Sequence, residues 1–174
     1  MADFCNEIEK RGLDQHNVFL FSLFAAIVEL GLVNQGVLNE VTKMIADNLI
    51  KYYEVLGQGP SVNTDNQDNN EDENTLDNIK SIFIFFNNEL NLVKEYNIEQ
   101  SEGFIKLFIK GDLCKVCPKG LGGAHLKGSL CIIPHLSMRL INHYLPAREK
   151  IALERDKPGL VKKQGDCIVT FEPC

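Results

Sequence analysis

No apolar run in the 174 residues is long enough to cross a membrane. The longest, Val18 to Val28, is interrupted by Ser22 and falls short of the roughly 20 residues that a spanning helix needs. Basic residues are in deficit, 18 Lys and Arg against 24 Asp and Glu, for a formal net charge of −6. General nucleic-acid binding shows itself as a basic excess, so this balance argues against it. Met1 to Arg11 has neither the basic start nor the apolar stretch of a secretory signal, because Asp3, Glu7, Glu9, Lys10 and Arg11 fall within it. No prenylation motif is present, since cysteine stands last in Phe171 to Cys174 rather than fourth from the end. A cytoplasmic protein is therefore expected, in a compartment where thiols stay reduced and available to metals. Neither a P-loop nor a dinucleotide fingerprint occurs, and no Ser–His–Asp elbow or carboxylate pair stands out. No catalytic residue is assigned.

The chain length fits one domain, and folding a chain of this size buries roughly 70% of its surface without cross-links. Val18, Leu20, Phe21, Leu23, Phe24, Ile27, Val28 and Leu30 predict a helix over about 16–32, ended by Gly31. Val37, Leu38, Val41, Ile45, Leu49, Ile50 and Tyr53 predict a second that stops near Leu56, before Gly57. The short connection between them suggests an antiparallel pair. From Gly57 to Asn74 there is no Lys or Arg, while Asp65, Asp68, Glu71, Asp72 and Glu73 accumulate among Asn and Gln. Such a stretch has little to bury and reads as a disordered acidic loop over about 57–74. A helical part over 1–56 and an α+β core over 75–174 flank it within one domain.

Leu76, Ile79, Ile82, Phe83 and Phe86 suit a third helix through about Asn88, although Ile82 to Phe86 also fits a buried strand. Leu92 to Ile98 and Phe104 to Ile109, with Gly103 between, predict a hairpin. Cys131 to Leu145 reads as a helix with Pro134 in its first turn. Lys150 to Glu154 and Cys167 to Phe171 read as strands. The expected fold is α+β, a four- or five-stranded antiparallel sheet packed with helices.

Five of the six cysteines follow residue 113. Cys114-Lys115-Val116-Cys117 stands at a strand end before a glycine-rich loop, a spacing that lets two thiolates face one ion. Pro118 and the glycines argue against a thioredoxin-like pair, which needs a helix to open there. Cys131 and Cys167 complete the candidate set for zinc, with an iron–sulfur cluster as the alternative and plain reduced cysteines as the bland reading. His125 is a possible further ligand, while His135 and His143, two turns apart on one helix, read as boundary residues.

The order Phe104 to Cys114, then Ala124-His125-Leu126-Lys127-Gly128, the helix from Cys131, Lys150 to Glu154, and Gly165-Asp166-Cys167 through Phe171 resembles the 4-vinyl reductase family of small-molecule-binding domains. The resemblance spans roughly 76–172 and implies an α+β fold shared with nitric-oxide-sensing haem domains and a Golgi-transport subunit. It also implies a homodimer and an apolar pocket between helices and sheet. Phe83, Phe86, Phe104, Leu136 and Leu140 are the candidates for lining that pocket. Zinc in such proteins is held by a strand-end cysteine, a strand glutamate and cysteines near the last strand, which correspond to Cys114 or Cys117, Glu154 and Cys167. Arg155 to Gly159 carries no cysteine, so Cys117 or Cys131 is left to supply the missing ligand. The expected function is a zinc-containing module that binds a small hydrophobic ligand, in a sensory or accessory role. The alternatives are a vinyl reductase, or its accessory subunit, in tetrapyrrole metabolism, and an iron–sulfur or structural assembly protein.

Overall fold

A computed structural model describes residues 2–32, 34–63, 71–117, 131–155 and 159–174. The chain opens with α1 (Ala2–Arg11), a helix that the charged N-terminal stretch did not announce. α2 (Gln15–Glu29) starts where Asp14 accepts a hydrogen bond from the Asn17 amide at 2.8 Å. The Asn17 side chain accepts one in return from the Asp14 amide, so two otherwise orphaned donors are satisfied. α3 (Gln35–Leu56) is capped by Asn34 and ends at Gly57, whose φ of +65° suits a residue without a Cβ.

α4 (Glu71–Leu90) settles the ambiguity at Ile82 to Phe86 in favour of helix. It also begins earlier than expected, taking in Glu71 to Asn74 of the acidic stretch. The first residues of that stretch are tied to α4. The Asn63 amide donates to Asn78 Oδ1 at 2.9 Å, Ser81 Oγ donates to the Ser61 carbonyl at 2.8 Å, and Val62 packs on the core. The rest of the expected loop, 64–70, lies outside the described residues.

β1 (Tyr96–Ser101) and β2 (Phe104–Lys110) form the expected hairpin, Ser101 facing Phe104 across a two-residue turn. Both turn residues have positive φ, +56° at Glu102 and +79° at Gly103, the twist that tight hairpins require. α5 (Ile133–Tyr144) follows with Pro134 in its first turn, then β3 (Ile151–Leu153), β4 (Val161–Lys163) and β5 (Asp166–Pro173). The five strands make one antiparallel sheet in the order β1-β2-β5-β3, with β4 sharing the β3 side of β5. β4 escaped the sequence reading because all three of its residues are exposed, so no alternation marks it.

One face of the sheet buries Ile105, Leu107, Ile109, Val169 and Phe171 against α4 and α5. Tyr53, Phe85 and Phe86 pack edge to face at 5.0–5.6 Å between ring centres and tie α3 to α4. The expected pairing of the first two long helices needs correction. α3 lies along α5, joined by an ion pair from Arg139 to Asp47 at 2.8 Å and by a contact of His143 Nε2 with Glu54 Oε1 at 3.1 Å. Among the described residues α2 packs along no element to a comparable extent. Ala46, Ile50 and Tyr53 turn the inner face of α3 towards α5 and the core, and that burial outweighs the short link to α2.

The buried side chain of Asn87 closes the passage from α4 into the sheet. Its Nδ2 donates to the Val93 carbonyl at 3.1 Å and its Oδ1 accepts from the Val93 amide at 2.9 Å. Asn87→Ala leaves both backbone groups buried and unmatched, so chemical denaturation should show a loss of about 2–4 kcal/mol. Asn87→Asp should keep the bond from the amide and lose less.

Candidate metal centre

Beyond Lys110 the chain makes one tight turn, Gly111–Leu113, and enters the cysteine knuckle. The Lys115 amide donates to the Leu92 carbonyl at 2.9 Å, and Cys114 bridges to Val93 at the approach to β1. The knuckle is therefore anchored to the sheet. Gly111 brings it up to β5: its amide donates to the Gly165 carbonyl at 3.1 Å. A Cβ on Gly111 would stand 2.7 Å from that carbonyl oxygen and 3.2 Å from Cys167 Sγ. Only glycine fits so close an approach, and the approach sets the Cys167 sulfur beside the turn that leads to Cys114. Cys167 itself faces Ile109 across β2 and β5.

The N-terminal helix closes over the same corner. Arg11 is only 5% exposed, and its Nη1 donates to the Cys117 carbonyl at 2.8 Å. Lys10 pairs with Asp112 at 2.8 Å, and Lys94 Nζ donates to the Lys10 carbonyl at 2.8 Å. Sequence reasoning missed Arg11. It stands among charged residues that look solvated, and a contact with a partner 106 positions away leaves no local periodicity.

Cys114 is buried, whereas Cys117, Cys131 and Cys167 are half-buried against the core, and none of these four is in a disulfide. Burial pushes the Cys114 thiol up to about 12, with Cys117 the next cause and Cys167 adding to it. A backbone hydrogen bond at Val116 and the Arg11 charge oppose that shift. The Cys131 thiol is raised further still, first by burial and then by Cys114, with Cys117 and Cys167 adding. Thiols from three separate segments thus lie within electrostatic reach of one another. Among the described residues, no three His, Cys, Asp or Glu side chains are drawn together closely enough to hold an ion as they stand. The donor chemistry fits a soft or borderline cation such as zinc, which takes thiolates and gathers them on binding.

The remaining site candidates are placed elsewhere. The Glu154 amide donates to the Thr170 carbonyl at 3.2 Å, so Glu154 stands one step out of phase with Cys167, Val169 and Phe171 and roughly 10 Å along the strand from Cys167. Glu154 is not gathered with the thiols, contrary to the resemblance. His125 lies outside the described residues. His135 and Cys131 border a cleft of about 230 Å³, floored by Gly159 and Leu160, between the starts of α3 and α5. His135 Nδ1 is buried there without a hydrogen-bond partner among the described residues, and burial holds the imidazole below its ordinary value. Of the pocket candidates, Phe83, Phe86, Leu136 and Leu140 are all buried within the one hydrophobic core. Phe104 is out of phase with the inward row Ile105, Leu107 and Ile109, so the sheet separates it from the other four.

These features define an α+β domain with a thiol-lined corner built from a sheet-anchored knuckle, a helix start and the central strand. The chain belongs to the MJ0207 family, whose model matches residues 31–173 and takes in all four of these cysteines. It is similar to the uncharacterized protein MJ1342 of Methanocaldococcus jannaschii, with 30% identity over 88 residues, 51% of this chain and 74% of that protein. No solved structure matches it.

The thiol environment has a measurable consequence for the metal-free protein. The folded-state value of Cys114 lies above its ordinary value of 9.0, so the protonated thiol favours the folded state. That contribution is complete below about pH 9 and is lost as the pH rises towards about 12. The melting temperature of the metal-free protein should fall across this window, and Cys114→Val should flatten the fall.

Proposed function

We propose that this protein is a zinc-binding module in which Cys114, Cys117, Cys131 and Cys167 take up the ion together. What supports this reading is that thiols of three segments, at 114–117, 131 and 167, lie within electrostatic reach of one another beside the close approach at Gly111. Zinc would supply the charge that lets these buried sulfurs exist as thiolates. Arg11, with its guanidinium at the Cys117 carbonyl, offsets part of the negative charge that four thiolates leave on such a centre. The resemblance to 4-vinyl reductase domains supports a sensory or accessory role, with a small hydrophobic ligand between the helices and the sheet. Phe83, Phe86, Leu136 and Leu140 fill that place, and the ligand would have to part them.

Each thiol must lose its proton to bind, so zinc uptake at neutral pH should release about four protons per ion. Apparent affinity should therefore rise with pH. Elemental analysis of anaerobically purified protein should find one zinc per chain, and titration against a chromophoric chelator should give its affinity. Cys131→Ser and Cys167→Ser should each weaken binding on the order of 100-fold or more, since even outer-shell changes cost 10- to 100-fold. Cys174→Ser, at the exposed last residue, should leave it unchanged. A broad visible absorbance that dithionite bleaches would replace zinc with an iron–sulfur cluster. Absence of any metal, with melting indifferent to chelators, would refute a metal-binding role.

A further inference from the structure

α2 is apolar on nearly every side: between Val18 and Val28 the only polar side chain is Ser22. A helix of that kind belongs inside a core, yet Ala25 is the only one of its described side chains that is buried. Phe19, Leu20 and Leu23 are exposed, as are Leu30 and Leu32 just beyond the helix, with Leu30 at 72%. α3 divides into three faces. Its inner face packs on α5 and the core, and its charged face carries Asp47 and Glu54, paired with Arg139 and His143. The third face, Val37, Val41, Met44, Ile45, Tyr52 and Val55, is exposed, with Val55 at 86%. These positions recur at three- and four-residue steps around Asn48, with Lys51 at the edge of the stripe.

We infer that α2 of one copy of this chain packs along the exposed stripe of α3 of a second copy, reciprocally, to form a two-fold dimer. The exposed apolar side chains of α2 and α3 present on the order of 1,000 Å² per chain, against about 800 Å² per partner in a stable interface. The largest apolar patch on an ordinary monomer is about 300–600 Å². The lengths match as well: α2 is about 22 Å long and the α3 stripe about 30 Å. Pairing α2 with α2, or α3 with α3, would leave the other stripe in water, whereas the reciprocal arrangement covers both. A lipid surface is the poorer occupant. α2 carries no Lys or Arg, and a chain of net charge −6 is repelled by anionic headgroups.

Sedimentation equilibrium of the full chain should give twice the chain mass at micromolar concentration. Leu23→Glu and Met44→Glu, at exposed positions, should each give monomers with an unchanged far-ultraviolet circular-dichroism spectrum and, without the partner's stabilisation, a lower melt. Mixed in equal amounts, the two variants should associate again, because one of the two contacts in the mixed pair joins a native α2 to a native α3 stripe. If Leu23→Glu fails to fold, Phe19→Glu takes its place in the mixture. A wild-type chain that stays at single-chain mass overturns the proposal, as does a variant that remains dimeric or a mixture that remains monomeric. Monomers that cosediment with phosphatidylcholine–phosphatidylglycerol vesicles would assign the face to lipid and overturn it too.

Discussion

Ile109 faces Cys167 in the ladder between β2 and β5, and most of the molecule is fixed by that register. Side chains alternate along a strand, so this pairing sends Val169 and Phe171 inward beside Leu107 and Ile105. A slip of one residue would expose that row and empty the floor on which α4 and α5 rest. The same register carries Cys167 to the end of β2, where Gly111 allows the close approach to Gly165. Core and thiol corner are therefore two products of one strand pairing. The two ends of β5 do different work. Its C-terminal half holds β3 and seals the core, while its N-terminal half turns back through Gln164 and Gly165 into β4, freeing Cys167 to face the knuckle.

The state of the thiols follows from their surroundings. A protonated cysteine behaves as a small apolar side chain, and burial here keeps Cys114 and Cys131 protonated at neutral pH. Deprotonating one of them alone would place an uncompensated charge in a corner where burial penalises it. On the zinc-binding reading proposed above, a divalent ion would compensate several such charges at once, and its uptake would be coupled to loss of the protons. Arg11 biases the balance towards the charged state, because a fixed cation at the Cys117 carbonyl costs less beside thiolates than beside thiols.

How far the sequence disclosed all this depends on range. α3, the β1–β2 hairpin, α5 and the final strand were legible because each announces itself locally: Gly57 and Gly103 at positive φ, Pro134 in a first turn, alternation through Ile105, Leu107 and Ile109. The Cys114 and Cys117 spacing likewise pointed to the corner. What was hidden is non-local. Nothing in Arg11 or its neighbours specifies a carbonyl 106 residues away. The partner of α3 is chosen by an inward face that fits α5, and a short link to α2 does not decide it. Glu154 shows the converse error, since a residue in a plausible motif position was placed by strand phase on the wrong side of β5. Phe104 failed as a pocket residue for the same reason, one step of alternation.

The N-terminal helices join the two unfinished features of this chain. The family match begins at residue 31, so α1 and α2 precede it, yet α1 is held at the knuckle by Arg11, Lys10 and Lys94. Gly12, at φ +62°, turns the chain directly from that anchorage, and the Asp14 cap starts α2 two residues later. The linker is too short and too well bonded for α2 to wander. Its exposure is therefore built in at a fixed point, not the result of a frayed terminus. An apolar helix held out from a rigid anchor keeps its shape while it waits for cover, so little ordering entropy remains to oppose association.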